Sequence, residues 1–407
     1  MSAGSRAPRV RDFVVVGGGI AGCSVALQLA RRGLGVTLIE QRQIAAGASG
    51  RNQGLLLNQV EPEVVRVMGR SLEIYRELEN ATPGFDLRPI GQLLLARDGV
   101  QMRVAEQKAA AMAELGMETE RWSIEQVRSE VPQISPNLAG GYFVKGAHAI
   151  RPYQATQAFA QGAREAGAEL LTRTRVGDVL IRSGKVEGVL TDQGPIAADA
   201  VILATGPWLA DLAPGLPVTA ARGWVLRTAQ LPFRVPFTIE EMSWPDQDEL
   251  GRVGRPPTLA EVAGGGYDQP AVQAFVINQH LSGEALVGAS MAPSLREAVE
   301  GIDMPRRIAE HALELAPGLA GVSITAAWYG MRPMTPDGMP LAGPAGADGL
   351  FAHGGHGSIG MMSAPAIGRW LVDSILDGRS EPELARYSAG RFVSSSPSTS
   401  GISTPKA

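Results

Sequence analysis

The stretch from Asp12 to Glu40, DFVVVGGGIAGCSVALQLARRGLGVTLIE, opens on an apolar run and breaks at three glycines. Apolar residues then recur at helical spacing before a second apolar run that ends in an acid. This pattern predicts strand, glycine turn, amphipathic helix and strand, a βαβ unit. Residues 151–174 read as an amphipathic helix ending at a glycine, followed by a strand. Residues 176–206 form a hairpin-rich run returning to an apolar strand over 200–204, expected to lie parallel to the first. The alternation in AFVINQHLSGEALVGAS, residues 274–290, predicts two antiparallel strands about a Ser-Gly turn. Residues 350–378 read as strand, glycine loop and long helix.

These elements predict an α/β chain whose nucleotide-binding unit is assembled from separated pieces, residues 10–78, 147–219 and 326–388. Between them, residues 79–146 carry an Ala/Glu/Met-rich helix, and residues 220–325 carry apolar strands interrupted by the Gly/Pro-rich RVGRPPTLAEVAGGG. The two segments are expected to form a second, α+β unit built on an antiparallel sheet, closing over the first with a ligand cleft between them. Residues 1–9 and the Ser/Thr/Pro-rich 391–407 are expected to be disordered tails.

Composition narrows the function. With 37 Lys plus Arg against 41 Asp plus Glu, the net charge of −4 supplies no electrostatic reason for nucleic acid, so the expected partner is a small molecule. The single cysteine, Cys23, excludes an intrachain disulfide and a cysteine metal cluster, and fits a reducing, cytoplasmic setting. No metal site is expected. The basic N-terminal stretch lacks the apolar core of a secretory signal, and no run of about 18 apolar residues predicts a membrane span.

Gly17, Gly19 and Gly22 fill G-x-G-x-x-G, for the tight turn, for close approach to a pyrophosphate, and for packing of helix on strand. Phosphates would sit on the helix N-terminus, and Glu40, 23 residues beyond Gly17, is placed to accept from ribose hydroxyls. That acid argues against a 2′-phosphate but does not separate NAD from FAD. Cys23 reads as a small packing residue rather than a reactive thiol. The loop GASGRNQGLLL offers Ser49, Asn52 and Gly54 to something flat and polar. The loop from Gly354 to Gly360 places a second helix N-terminus at a second electronegative group. Finally, WYGMRPMTPDGMPLAG sets Arg332 inside an otherwise apolar run, either pointing into water or facing a cavity and awaiting an anion.

In this order, VVVGGGIAG, GASGRNQG, VILATGPW, and WYGMRPMTPDGMPLAG with GHGSIGMMSAPAIG resemble the D-amino-acid-oxidase superfamily of FAD enzymes over residues 10–388. The glycine oxidase, sarcosine oxidase and D-amino-acid dehydrogenase branch is the most similar. The resemblance implies a Rossmann-type FAD-binding domain with an interleaved antiparallel-sheet substrate domain. It also implies non-covalent FAD, because Met334 and Ser49-Gly50-Arg51 stand where some relatives attach the flavin. Matching cofactor positions are Ile20, Ala21, Glu40, Gln41, Ala48, Ser49, Gln53, Gly54, Leu55 and Val176, the last holding adenine through its backbone. Gly206 of the third motif joins them. His356 to Met362, including Gly357, Ser358, Ile359, Gly360 and Met361, match the segment that wraps the flavin's pyrimidine edge.

By the same resemblance Arg332 clamps a substrate carboxylate, a task suited to a planar, permanently charged fork. His356 is the histidine expected to matter. Trp328 and Tyr329 are candidate pocket walls, and the tyrosine of glycine oxidase falls near Phe275 or Val276. The implied reaction is oxidation of the C–N bond of an amino acid or amine bearing a carboxylate, with hydride passing to the flavin, hydrolysis of the imine, and reoxidation by O2 or another electron acceptor. Alternatives are an FAD-dependent 2-hydroxyacid dehydrogenase, the flavin subunit of a heteromeric amine or opine dehydrogenase, or an NAD-dependent dehydrogenase.

Overall fold

A computed structural model describes residues 12–242, 271–294, 303–379 and 381–392. The Gly/Pro-rich segment 252–266 and the tails 1–9 and 393–407 lie outside the described residues. Two sheets organise the mixed α/β fold. The first has six strands in the order Leu341–Pro344, Leu350–Gly354, Ala200–Leu203, Phe13–Val16, Val36–Glu40 and Glu169–Thr172. All neighbours are parallel except the hairpin at the Leu341–Pro344 edge.

Phe13–Val16 is buried at every position because both faces of this sheet are covered. Phe13 and Val15 pack into a core with helices Ile20–Arg31, Pro152–Glu165 and Gly360–Asp377. Val14 and Val16 face the other way, onto Val179, Val186 and Val189 of the small antiparallel sheet formed by residues 176–197. Cys23 is fully buried in the first core, and burial pushes its thiol pKa up, so it packs rather than reacts.

The second sheet has eight strands: Ile324–Met334, Thr219–Gln230, Glu284–Ser294, Ala271–Gln279, Thr238–Glu241, Gln92–Ala96, Gly140–Val144 and Thr119–Trp122. It is antiparallel except where Thr238–Glu241 runs parallel to Gln92–Ala96. Helix Asp303–Leu315 covers one face, and helix Gly99–Glu114 covers part of the other. The rest of that second face looks onto the first sheet. The whole of Ile324–Met334 belongs to this sheet, so the expected division after residue 325 falls inside a strand. Arg391, at the expected start of the C-terminal tail, is held in place by Asp337 at 2.7 Å.

The loop after Glu40 fastens the two sheets together. Asn278 Nδ2 donates to Gln53 O at 3.1 Å, Gln53 Nε2 to Val276 O at 3.2 Å, and Trp328 Nε1 to Arg51 O at 2.9 Å.

Candidate active site

A cavity of about 460 Å³ starts at the carboxyl ends of the parallel strands and reaches the open face of the eight-stranded sheet. Ligands of open α/β sheets occupy this place. Gly17 has φ +113°, and a Cβ there would lie 2.4 Å from Ala204 O. A Cβ on Gly22 would lie 1.9 Å from Gly17 O, so the helix rests directly on the turn. Gly19 caps helix Ile20–Arg31 without a side chain, and Ser49 Oγ accepts from Ile20 N–H at 2.9 Å. The glycine turn and the small-residue loop thus build one edge of the cavity. Glu40 lines it and accepts from Gly18 N–H at 2.7 Å and Arg42 N–H at 2.8 Å, leaving further lone pairs for a ligand.

Gly17, Gly19, Ile20, Ala21, Glu40, Gln41, Ala48, Ser49, Gln53, Leu55, Val176 and Gly206 all line the cavity, as do Arg332, His356, Gly357, Ser358, Gly360 and Met361. Gly22, Gly54 and Ile359 do not. Gly54 has φ +70°, and a Cβ there would meet Ile150 O at 2.0 Å, so it is needed for close backbone packing. Ile359 is a core residue whose carbonyl accepts from Ser363. Trp328 and Tyr329 also fall outside the lining: Trp328 is committed to Arg51, and the Tyr329 ring lies under the Arg222 guanidinium and meets Trp224 at a tilt of 60°. Phe275 points into the opposite core, whereas Val276 faces the cavity.

Buried polar atoms at the cavity wall without a hydrogen-bond partner among the described residues include Thr205 Oγ1 and His356 Nε2. His356 Nδ1 lies 2.9 Å from Ser363 Oγ, whose own hydrogen goes to Ile359 O. The serine oxygen is therefore the acceptor, Nδ1 carries the proton, and Nε2 presents a lone pair. Burial, aided by the nearby His353 ring, pushes the His356 pKa well below its usual value. Burial likewise lowers His353 to about 4.

Arg332 lines the far end, where Nη1 donates to Ser290 O at 3.2 Å. Desolvation lowers its pKa to about 10, which leaves it charged at neutral pH. Among the described residues no carboxylate pairs with it. Sequence reasoning missed Glu240, which lines the same cavity. Its signal was the acid pair Glu240-Glu241 in the short buried strand Thr238–Glu241, since alternation turns one acid to each face. Glu241 faces the other core, where it pairs with Arg97 at 3.3 Å and His311 at 2.6 Å.

A glycine cradle at a helix N-terminus, an acid at the second strand end and a second helix N-terminus at the same cavity define a dinucleotide-binding α/β protein whose site is closed by a second sheet. Residues 12–374 match the DAO family model, described as FAD dependent oxidoreductase, and the chain belongs to that family. It is 28% identical to the bifunctional protein ThiO/ThiG of Trichormus variabilis, over 94% of this chain and 55% of that protein. The chain thus spans about half the length of that relative. It is 27% identical to glycine oxidase of Bacillus licheniformis, over 90% of this chain and 93% of that one. The structure of glycine oxidase from Bacillus cereus matches with a TM-score of 0.79 at 22% identity, covering 93% of this chain and 98% of that one, and shows the same fold. Among the described residues no helix is long and apolar enough to cross a membrane.

Proposed function

We propose that this protein oxidises the C–N bond of an amino acid or secondary amine bearing a carboxylate. The observation that carries this reading is Arg332, a charged guanidinium without a carboxylate partner among the described residues, on the wall of the cavity that begins at the glycine cradle. Such a fork binds a carboxylate bidentately, and orienting the substrate is the main service this chain has to supply. FAD, when bound, accepts the hydride removed from the carbon next to nitrogen. Residues Gly17 to Ala21, Glu40, Ser49 and Val176 would hold its nucleotide half, and His356 to Met361 its ring system.

Val225, Val276 and Ala289 present an apolar wall that excludes water and strengthens the Arg332 contact. His356 offers a neutral acceptor nitrogen to a donor on the ring system or the substrate. The lone pair on Nε2 also favours a second reading, oxidation of a 2-hydroxy acid, because that chemistry needs a base for the hydroxyl proton. The depressed pKa of His356 makes it a weak base, so the amine reading is preferred.

The same proposal places a small-molecule amino acid as substrate, O2 or another acceptor as oxidant, and the protein in the cytoplasm. It divides the chain into a cofactor unit around the six-stranded sheet and a substrate unit around the eight-stranded one. FAD is held without a covalent bond, since Cys23, the single cysteine, is buried away from the cavity, and Ser49-Gly50-Arg51 and Met334 stand where some relatives attach the flavin. The test is anaerobic titration of the FAD-loaded protein with glycine, sarcosine, proline, D-amino acids and 2-hydroxy acids. Bleaching of the flavin band by an amine supports the proposal. Bleaching only by hydroxy acids replaces it with the second reading.

A further inference from the structure

We propose that Glu240 forms a subsite for a second, cationic group on the substrate, so that the preferred amine carries a terminal ammonium or guanidinium. This rests on the amine reading above and names the substrate class for that site. Glu240 is buried on the strand Thr238–Glu241, with its side chain 8% exposed, and it lines the same cavity as Arg332. A carboxylate has about four lone-pair sites. Here one oxygen accepts from Gln92 Nε2 at 2.5 Å, and among the described residues the other has Lys108 Nζ at 3.8 Å, beyond hydrogen-bond reach. Lys108 and Gln92 lie outside the cavity lining, so the acid is the group presented to a ligand.

Sheet register gives the spacing. Arg332 Nη1 donates to Ser290 O, and Ser290 lies two residues beyond Gly288. Gly288 pairs with Val276, which pairs with Glu240. Two strand spacings across and about two residues along place the backbones of Glu240 and Ser290 on the order of 10 Å apart. Glu240 and Arg332 line the same cavity from these two places, so a flexible chain of a few methylene groups suits the gap between them. Val276 and Ala289 line the cavity between the two ends and suit such a chain. A charge of each sign at opposite ends also fixes the ligand's direction, which would favour one placement of the carbon to be oxidised.

The experiment uses the FAD-loaded protein. Calorimetry compares binding of pentanoate with 5-aminopentanoate, neither of which carries an α-amine, and anaerobic flavin bleaching compares norleucine with ornithine and lysine. The expected result is at least a tenfold preference for the terminally charged member of each set. Glu240→Gln should reduce that preference to less than threefold, and Lys108→Met should increase it by removing the competing ammonium. Opposite signs for the two variants distinguish a ligand subsite from a structural ion pair, whose disruption would lower binding in both. Equal binding of the charged and neutral ligands by the unaltered protein overturns the subsite, as does a preference that survives in Glu240→Gln. Bleaching by norleucine without any preference overturns the subsite alone. No bleaching by any amine overturns the amine reading and this inference together.

Discussion

Arg332 lies flat across Gly223: a Cβ at residue 223 would fall 2.1 Å from Nη1 and 2.7 Å from Cζ of the arginine. The absence of a side chain there leaves room for the guanidinium beside Ser290 O. Gly223→Ala is therefore predicted to displace Arg332 and weaken binding of a carboxylate ligand about 10- to 100-fold, the worth of a hydrogen bond to a charged group. FAD affinity should change far less, because the glycine cradle at residues 17–22 keeps its own shape in this variant. Spectral titration of the flavin with an unreactive carboxylate measures the first quantity, and titration of the apoprotein with FAD the second.

Replacing the fork itself is a harsher test. Arg332→Lys keeps a positive charge but loses the planar, bidentate geometry. KM for the substrate should rise at least about tenfold, with the flavin content of the purified protein unchanged. An unchanged KM would remove Arg332 from the substrate site.

Gly22→Ala should act at the opposite end. The new methyl group would meet Gly17 O at 1.9 Å, so the helix must lift from the turn that shapes the cradle. Overpacking of this kind costs about 1–3 kcal/mol. The expected outcome is a lower Tm together with a reduced FAD-to-protein ratio after reconstitution, whereas the Arg332 variant retains full flavin loading.

Stability should depend on pH through His353. Burial holds its folded pKa at about 4, while the unfolded side chain titrates near 6.5. The unfolded chain therefore binds the proton first, and stability falls as pH drops from 6.5 towards 4. Between pH 7 and pH 5 this histidine alone accounts for about 2 kcal/mol. His356, also buried and lowered, acts in the same direction. Urea midpoints at the two pH values give the slope, and His353→Gln should flatten it.

The glycine fingerprint was legible because its demands are local. Gly17 and Gly22 meet one another within a single turn, and that spacing is written in consecutive residues. Glu40 was legible for a similar reason, since a strand ending beside the turn brings its carboxylate to Gly18 N–H. Gly54 and Ile359 show where this reasoning overreached. Both stand inside motifs that border the cavity, yet one is spent on Ile150 and the other on the core. Whether a motif residue faces the ligand or the scaffold depends on how its loop is docked, and local sequence does not encode that.

By itself the sequence determined the βαβ unit, the alternation of the long hairpin and the presence of a charge at residue 332, because periodicity and glycine requirements act over a few residues. Only the tertiary structure decided what that charge faces. The strand Ile324–Met334 pairs with Thr219–Gln230, so Ala221 stands opposite Arg332 and Gly223 opposite Gly330 although about a hundred residues separate them in sequence. The same pairing across the sheet decides that Glu240 looks into the cavity while its neighbour Glu241 turns to His311. A one-residue slip in register would exchange those two acids, and register is set by the burial of whole faces rather than by either residue's own chemistry.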